Sequence, residues 1–477
     1  MKVGFVSLGC PKNLVDSEVM MGQLAAHGHE LTPHPDQADV LVVNTCSFID
    51  PAKQESVDTI LEMAEYKRIG RAKKLIVAGC LVERYRGDIR QDIPEVDALI
   101  GTNEIEKIVA VCEGTQADEN AAVEPYLYHD LTPRVFATPR HFAYVKIAEG
   151  CDHPCSFCVI PQYRGKFRSR RFESVVSEAQ RLFGQGVREI NLIGQDTTCY
   201  GEDLGIKDGL ANLLARLAAI ETPQEKWIRF LYAYPNRVTQ KLLDTIAEHP
   251  ALVKYIDIPL QHASGDVLKR MKRGANGDIF LKLIERIRKT IPGVSIRTSF
   301  IVGFPGETNA EFEELRAFVA AAQFDRLGVF AYSDQDTSKS YALDGKVDAL
   351  TIHNRKRALM AVQRRISKAR NKRLVGEEML ILVEGRSPET DLLWQGRLAS
   401  QAPEIDGVTL INDFSGSEPL PGQIRPVKIT EAHDYDLVGA LMEAGELESL
   451  RPPQPPAGLI HIQPTGGFVL PGSIPAR

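Results

Sequence analysis

Residues 150–170, GCDHPCSFCVIPQYRGKFRSR, set Cys151, Cys155 and Cys158 in a CxxxCxxC spacing on one short stretch. The segment directly before it, FAYVKIA (142–148), is a mostly apolar run of strand character. Three thiolates on one tight loop suffice for three irons of a four-iron cluster, with the fourth iron left open. Zinc is the competing reading, because structural zinc takes four protein ligands and His153 lies inside the loop to complete a set. Three buried cysteines without any ligand is the weaker alternative.

Working outward toward the carboxyl end, five further strand-like runs follow: EINLIGQD (189–196), WIRFLYAY (227–234), YIDIPLQ (255–261), SIRTSFIVG (295–303) and RLGVFAY (326–332). Helical stretches separate them. The alternation over about 138–370 predicts a partial or complete parallel (βα) barrel with its chemistry at the carboxyl ends of the strands. Gln195 and Asp196 end the second run and Arg297 lies within the fifth, so by position they are candidate cofactor contacts, although strand-end polar residues also serve as caps. GFPGET (303–308) has the glycines and proline of a tight turn that shapes a site through its backbone.

Toward the amino end, residues 1–112 alternate VGFVSLG (3–9), DVLVVN (39–44), KKLIVAG (73–79) and DALIGT (97–102) with helical patterns. One helix is read as capped at Asn13 and stopped near Gly28, and another as starting at Asp50-Pro51. Continuous apolar runs between helices predict a doubly wound parallel sheet. Cys10, Cys46 and Cys80 each follow such a run, 36 and 34 residues apart, about one strand-helix period each. Strand ends of a parallel sheet share one edge, so the three thiols should converge there. Taken alone, three such cysteines are more often core residues than ligands.

Residues 113–137 read as a linker, polar and acidic. Residues 353–373 hold nine Lys or Arg and no acid, and read as a basic helix. Over 371–442 the pattern changes to EEMLILVEG, LLWQGRLA, GVTLIND and IRPVKITEA, which predicts a small all-β barrel, and 443–477 is a Pro/Gly-rich tail expected to be extended or docked.

Length and composition agree with several domains. A chain of 477 residues exceeds one compact core, and 43% hydrophobic with 25% charged residues excludes wholesale disorder. No apolar run approaches the roughly 20 residues of a membrane span, and KVGFVSLGCPKN reads as a first strand rather than a signal peptide, so a cytoplasmic protein with no membrane partner is expected. Eight cysteines are too few for a disulfide scaffold here.

A three-cysteine loop at the head of a parallel barrel resembles the radical S-adenosylmethionine superfamily. With a three-cysteine amino domain before it and a small β-barrel after it, the chain resembles the methylthiotransferase family across nearly its whole length. The resemblance implies an amino domain carrying an auxiliary 4Fe-4S cluster on Cys10, Cys46 and Cys80, a radical core whose 4Fe-4S cluster sits on Cys151, Cys155 and Cys158 and binds S-adenosylmethionine, and a TRAM-like barrel. It also implies two S-adenosylmethionine molecules per turnover, an electron donor such as flavodoxin or ferredoxin, and a sulfur donor. Cys112 and Cys199 match neither motif and read as structural. SLGCPKNLVDSE (7–18), NLIGQDTTCYG (191–201), IDIPLQHAS (256–264) and IVGFPGET (301–308) resemble the RimO branch, which modifies an aspartate of ribosomal protein S-twelve, rather than the MiaB branch, which modifies tRNA. A tRNA methylthiotransferase and a non-catalytic iron-sulfur carrier are the alternatives.

Charge points the same way. Residues 376–442 hold twelve Asp or Glu and four Lys or Arg, so −8 of a net −6 lies in the small barrel and the remainder is +2. Such a surface is poor for phosphate backbone and suits a basic protein such as S-twelve, free or in the small ribosomal subunit. The run Tyr163, Arg164, Lys166, Arg168, Arg170 and Arg171 interleaves aromatic and cationic residues as nucleic-acid sites do, but it is read here as lining the cluster loop and holding S-adenosylmethionine or an acidic substrate. His27, His29 and His34 show no metal spacing and read as surface residues.

Overall fold

The computed structural model describes residues 1–115 and 125–443, so the expected tail and the middle of the expected linker lie outside the described residues. Strands β1 (Lys2–Ser7), β2 (Glu30–Thr32), β3 (Val40–Thr45), β4 (Lys74–Gly79) and β5 (Ala98–Ile100) form a parallel sheet in the order β2-β1-β3-β4-β5. The order reverses between β1 and β3, which opens a crevice at their carboxyl ends. Helices α1 (Pro11–Ala26), α2 (Asp50–Ile69), α3 (Cys80–Asp92) and α4 (Ile108–Glu113) cover the sheet. One apolar cluster joins Leu41, Val43 and Val77 to Ile60 of α2 and Leu81 of α3; the other joins Val3, Val42 and Ile76 to Met20 and Leu24 of α1 and Ile108 of α4. Both faces are therefore buried, which is why the central strands read as unbroken apolar runs.

Two helix starts differ from expectation. Helix α1 begins at Pro11 with Cys10 at the cap position, where proline's fixed φ and missing N–H suit the first turn. Asn13 is a buried first-turn residue whose amide donates to the carbonyls of Leu8 (2.7 Å) and Thr45 (3.2 Å), tying the strand ends together instead of capping. Ile49 stands at the cap position of helix α2 without a side-chain cap, and Asp50 belongs to its first turn.

β6 (Phe142–Lys146) opens the second domain, and β7 (Ala148–Glu149) pairs antiparallel with β8 (Arg168–Ser169) across the base of the cysteine loop. β9 (Glu189–Ile193), β10 (Trp227–Phe230), β11 (Tyr255–Asp257), β12 (Ser295–Val302) and β13 (Arg326–Ala331) follow. The parallel sheets β6-β9-β10 and β11-β12-β13 meet through the Ala233 N–H donating to the Asp257 carbonyl at 2.9 Å. Among the described residues β6 and β13 are not paired, so the arc is a partial barrel. Alternate strand residues face opposite ways. Val145, Ile190, Leu192, Phe230 and Ile256 face the helices, whereas Phe142, Tyr144, Ile193, Trp227 and Tyr255 share a cluster with Val15 and Val19 of α1 and with Leu382 and Ala402 of the third domain. Three domains thus share one core inside the arc.

The third domain is a closed barrel, β14-β15-β16-β18-β17, of β14 (Glu378–Ser387), β15 (Thr390–Leu398), β16 (Thr409–Phe414), β17 (Ile424–Ala432) and β18 (Leu437–Leu441). β18 has no counterpart among the strands expected from sequence. The basic helix runs from Ala349 to Arg373. Residues 125–137 are packed: Tyr128 is buried, and the buried Arg134 guanidinium bridges Glu18 of α1 (2.5 Å) and Glu178 (2.9 Å). Among the described residues no helix is long and apolar enough to cross a membrane.

Candidate functional site

The loop carrying Cys151, Cys155 and Cys158 leaves β7 at Gly150, whose φ is +82° and where a Cβ would strike the Lys166 carbonyl oxygen at 2.1 Å, so only glycine lets the loop close there. The Cys151 N–H donates to the Gly165 carbonyl (3.2 Å), and Ser156 anchors the loop through its N–H to the Met271 carbonyl (3.1 Å) and its hydroxyl to the Arg270 carbonyl (2.8 Å). His153 stacks on Tyr234, with centroids 3.7 Å apart and planes 9° from parallel, while its Nε2 lies 2.6 Å from Asp196 Oδ2. Arg273 lies 4.3 Å from the Tyr234 centroid and points Nη1 at Cys155 Sγ, 3.7 Å away. The three loop thiols interact electrostatically with one another, and burial pushes Cys151 up to about 11 and Cys158 up to about 12. Any metal bound there must displace protons.

His153 Nε2 is committed to Asp196. Among the described residues, His153, Asp196 and Cys199 are the only His, Cys, Asp or Glu group whose three ligand atoms all lie within 4.8 Å of one another. Asp196 is saturated: besides His153 it accepts from the Thr198 N–H (2.8 Å), the Thr198 hydroxyl and Cys199 Sγ (3.0 Å). These bonds place Asp196 where it holds the cysteine loop through His153. Cys199 is buried in a short 3-10 turn, and Cys112 is buried in α4.

At the carboxyl edge of the first sheet, Cys10 precedes α1, Cys46 follows β3 and Cys80 opens α3, with mutual electrostatic interactions. Gly9 (φ +88°) would set a Cβ 2.7 Å from that of Cys46, and Gly79 (φ +94°) would set one 2.3 Å from Asn44 Oδ1. Burial pushes the Cys46 thiol up to about 12; the Cys80 thiol is also pushed up by burial, opposed by Arg164. Arg164, at the end of α5 (Ile160–Arg164), brings Nη2 within 3.4 Å of Cys80 Sγ. Lys12, also buried, lies 3.5 Å over the Tyr232 ring, and its charge acts on Cys10. Two buried cations thus face this trio, which suits a cluster whose three thiolates add negative charge.

Arg164 belongs to the domain of the other trio and reaches across into the first. Its Nη1 pairs with Asp16 (2.6 Å) and Glu149 (3.3 Å), and the buried Lys146 Nζ pairs with the same two carboxylates at 2.5 and 2.6 Å. Gln195 donates to Glu149 Oε1 (2.5 Å), while its own Oε1 is buried without a hydrogen-bond partner. This unsatisfied acceptor lies at the carboxyl edge of β9, two residues past the strand, on the side of the sheet where the cysteine loop sits.

Arg297 pairs with Asp257 (2.8 Å) inside the arc, and its Nε lies 3.8 Å from Asp406 of the third domain, so its charge is committed away from the cysteine loop. Arg170 is buried against Glu178 (2.5 Å), and Arg164 is internal as well, leaving Lys166 and Arg171 as exposed members of the basic run. The GFPGET turn seats the long helix: a side chain on Gly303 (φ +80°) would meet Ile352 at 2.3 Å. His29 pairs with Glu113 (3.3 Å), while His27 and His34 are exposed. Sequence reasoning missed Lys12, Asp16, Lys146, Glu149, Tyr234 and Arg273. A lysine inside the apolar run FAYVKIA was the available signal for Lys146.

Three family models match in succession: the uncharacterized protein family UPF0004 over residues 2–101, the radical SAM superfamily over 145–319 and the TRAM domain over 375–442. The chain is 79% identical to the ribosomal protein uS12 methylthiotransferase RimO of Solibacter usitatus, covering 97% of this chain and 99% of that protein. It is 59% identical to the protein of the same name from Koribacter versatilis, over 92% of this chain and 96% of the relative. In fold it resembles the radical S-adenosylmethionine methyltransferase TsrM of Kitasatospora setae, solved with cobalamin and a 4Fe-4S cluster bound (TM-score 0.52, 16% identity, 71% of this chain and 76% of that one).

Proposed function

The chain belongs to the RimO family of ribosomal protein uS12 methylthiotransferases, and on that premise we propose that it replaces a hydrogen on the β-carbon of a uS12 aspartate with a methylthio group. Cys151, Cys155 and Cys158 hold the cluster that binds S-adenosylmethionine, and Cys10, Cys46 and Cys80 hold an auxiliary 4Fe-4S cluster. When bound, these groups supply a 5'-deoxyadenosyl radical, which takes hydrogen from unactivated carbon, and the sulfur to be transferred.

The observation that carries this reading is the span of Arg164, which touches Cys80 Sγ on one side and Glu149, two residues before Cys151, on the other. Transfer between two centres requires a fixed separation, and the buried lattice of Asp16, Lys146, Glu149 and Arg164 holds α1 of the first domain against β6 and β7 of the second. Asp196 and Tyr234 hold His153, so the cysteine loop cannot swing away from the strand ends. The small barrel supports a basic protein substrate: one of its ends exposes Glu389, Asp391, Asp413 and Glu418 around exposed Leu392 and Phe414. Anaerobically reduced enzyme with S-adenosylmethionine, given uS12 (isolated and within small ribosomal subunits) or tRNA in parallel, tests the proposal. A methylthio mass gain on uS12 with release of 5'-deoxyadenosine is expected; gain on tRNA alone, or none on either, would overturn it.

A further inference from the structure

The helix Ala349–Arg373 carries nine Lys or Arg and no acidic residue. Arg355 is buried against Glu307 (3.2 Å), Arg370 pairs with Asp325, and Arg364 and Lys368 share Asp434 at 3.9 and 3.3 Å. The other five, Lys356, Arg357, Arg365, Lys372 and Arg373, are exposed, and no ion pair involves them among the described residues. Leu359, Gln363 and Ile366 are buried and seat the face opposite Arg357, Arg365 and Lys372, while Lys356 and Arg373 stand exposed near the two ends of the helix. Arg364, Lys368 and Lys372 follow one another at i,i+4, a like-charge spacing that weakens an isolated helix. Helix stability therefore does not explain the pattern.

Its position gives it a use. The amino end packs Ile352 against Gly303 at the carboxyl edge of β12, on the side of the arc where the cysteine loop sits. The far end meets the acidic barrel, where Asn371 donates to the His433 carbonyl (3.2 Å). At 1.5 Å per residue the helix spans about 37 Å, so the basic face runs from the site's rim to a barrel with twelve acids and four bases. A basic protein alone is attracted by the barrel and repelled by the helix, and an RNA alone the reverse. A partner that presents both matches both surfaces.

We propose that this helix face docks RNA phosphate backbone, so that the substrate is uS12 within an assembled ribonucleoprotein particle rather than the free protein. The proposal rests on the uS12 reading above and specifies the form of its substrate. The test compares wild type with the Lys356→Gln, Arg357→Gln, Arg365→Gln, Lys372→Gln variant on unmodified small ribosomal subunits and on isolated uS12. The variant's KM for subunits should rise tenfold or more with turnover of isolated uS12 unchanged. The log–log salt dependence of subunit binding should also become shallower, by a little under one for each phosphate no longer neutralised. Independently of any variant, short single-stranded RNA added to wild type should inhibit subunit modification and spare isolated uS12. An unchanged subunit KM, equal losses on both substrates, or indifference to competing RNA would refute the docking role. If wild type modifies neither substrate, the uS12 reading itself fails.

Discussion

Arg164 shows how much one buried side chain can determine. A guanidinium offers five N–H donors in a fixed fork, and here they are divided among Asp16, Glu149, Asn13 and Cys80 Sγ. Lysine keeps the charge and loses the fork. Arg164→Lys is expected to weaken the auxiliary centre roughly 10–100-fold, the usual range for partners of metal ligands. The measurement is iron retained after chelator challenge in a Cys151→Ala, Cys155→Ala, Cys158→Ala background, which should itself hold about half the iron of wild type if the two trios carry equal four-iron clusters. Cys199→Ser keeps a donor to Asp196 and should leave iron content unchanged, as a structural thiol requires. Sequence position placed Cys10, Cys46 and Cys80 at successive strand ends and Cys151, Cys155 and Cys158 on one loop, while the ligand role of the first trio came from the family resemblance. Position could not assign Asp196 or Arg297, because their partners, His153 and Asp257, lie 43 and 40 residues away; strand position says where a side chain starts, not what neutralises it.

Among the elements, the turns that end strands do more for the site than the strands do. Gly79 sits at φ +94° immediately before Cys80, with Asn44 Oδ1 where a Cβ would go. Gly79→Ala should cost about 1–3 kcal/mol in urea unfolding and displace Cys80, with loss of iron. Gly87, inside α3, has open space within 4 Å of where a Cβ would stand and no left-handed φ. Gly87→Ala should instead stabilise by about 0.5–1 kcal/mol, which makes it an internal control. Long apolar strands were legible because burial on both faces writes itself as composition. β2 spans only three residues, and β18 follows β17 through the hairpin turn His433–Asp436, whose sequence HDYD has neither the glycine nor the Asn-Gly pair that marks such a turn.

Across the whole molecule, charge ties the third domain to the second. Burial pushes the Glu189 carboxyl up, but the guanidinium groups of Arg397 and Arg229 outweigh it and hold the carboxyl below its usual range. The same holds for Glu384: burial raises it, and His141 and Arg397 more than offset that. A depressed folded value stabilises above the unfolded glutamate pKa of about 4.3 and is lost as pH falls through the folded value. Unfolding midpoints should therefore hold from neutrality to near pH 5 and drop below it. Arg397→Ala leaves Glu189 and Glu384 short of a partner and should cost about 3–5 kcal/mol. The chain has two tryptophans, Trp227 in the shared core and Trp394 in the small barrel. Their fluorescence should report one transition in wild type and two in Arg397→Ala. Composition suggested about three domains, but periodicity within each segment carries no trace of a core assembled from all of them.

That shared core also sets a timetable. Val15 and Val19 leave the ribosome early, yet their apolar neighbours include Tyr255, Leu382 and Ala402, which are made hundreds of residues later. Until then α1 has one side without its cover, and the buried carboxylate of Asp16 lacks Lys146 and Arg164. The cysteine edge of the first domain therefore matures last although it is synthesised first, and a chain stopped before β14 presents that edge unfinished. A truncated chain would therefore expose the very edge on which Cys10, Cys46 and Cys80 lie.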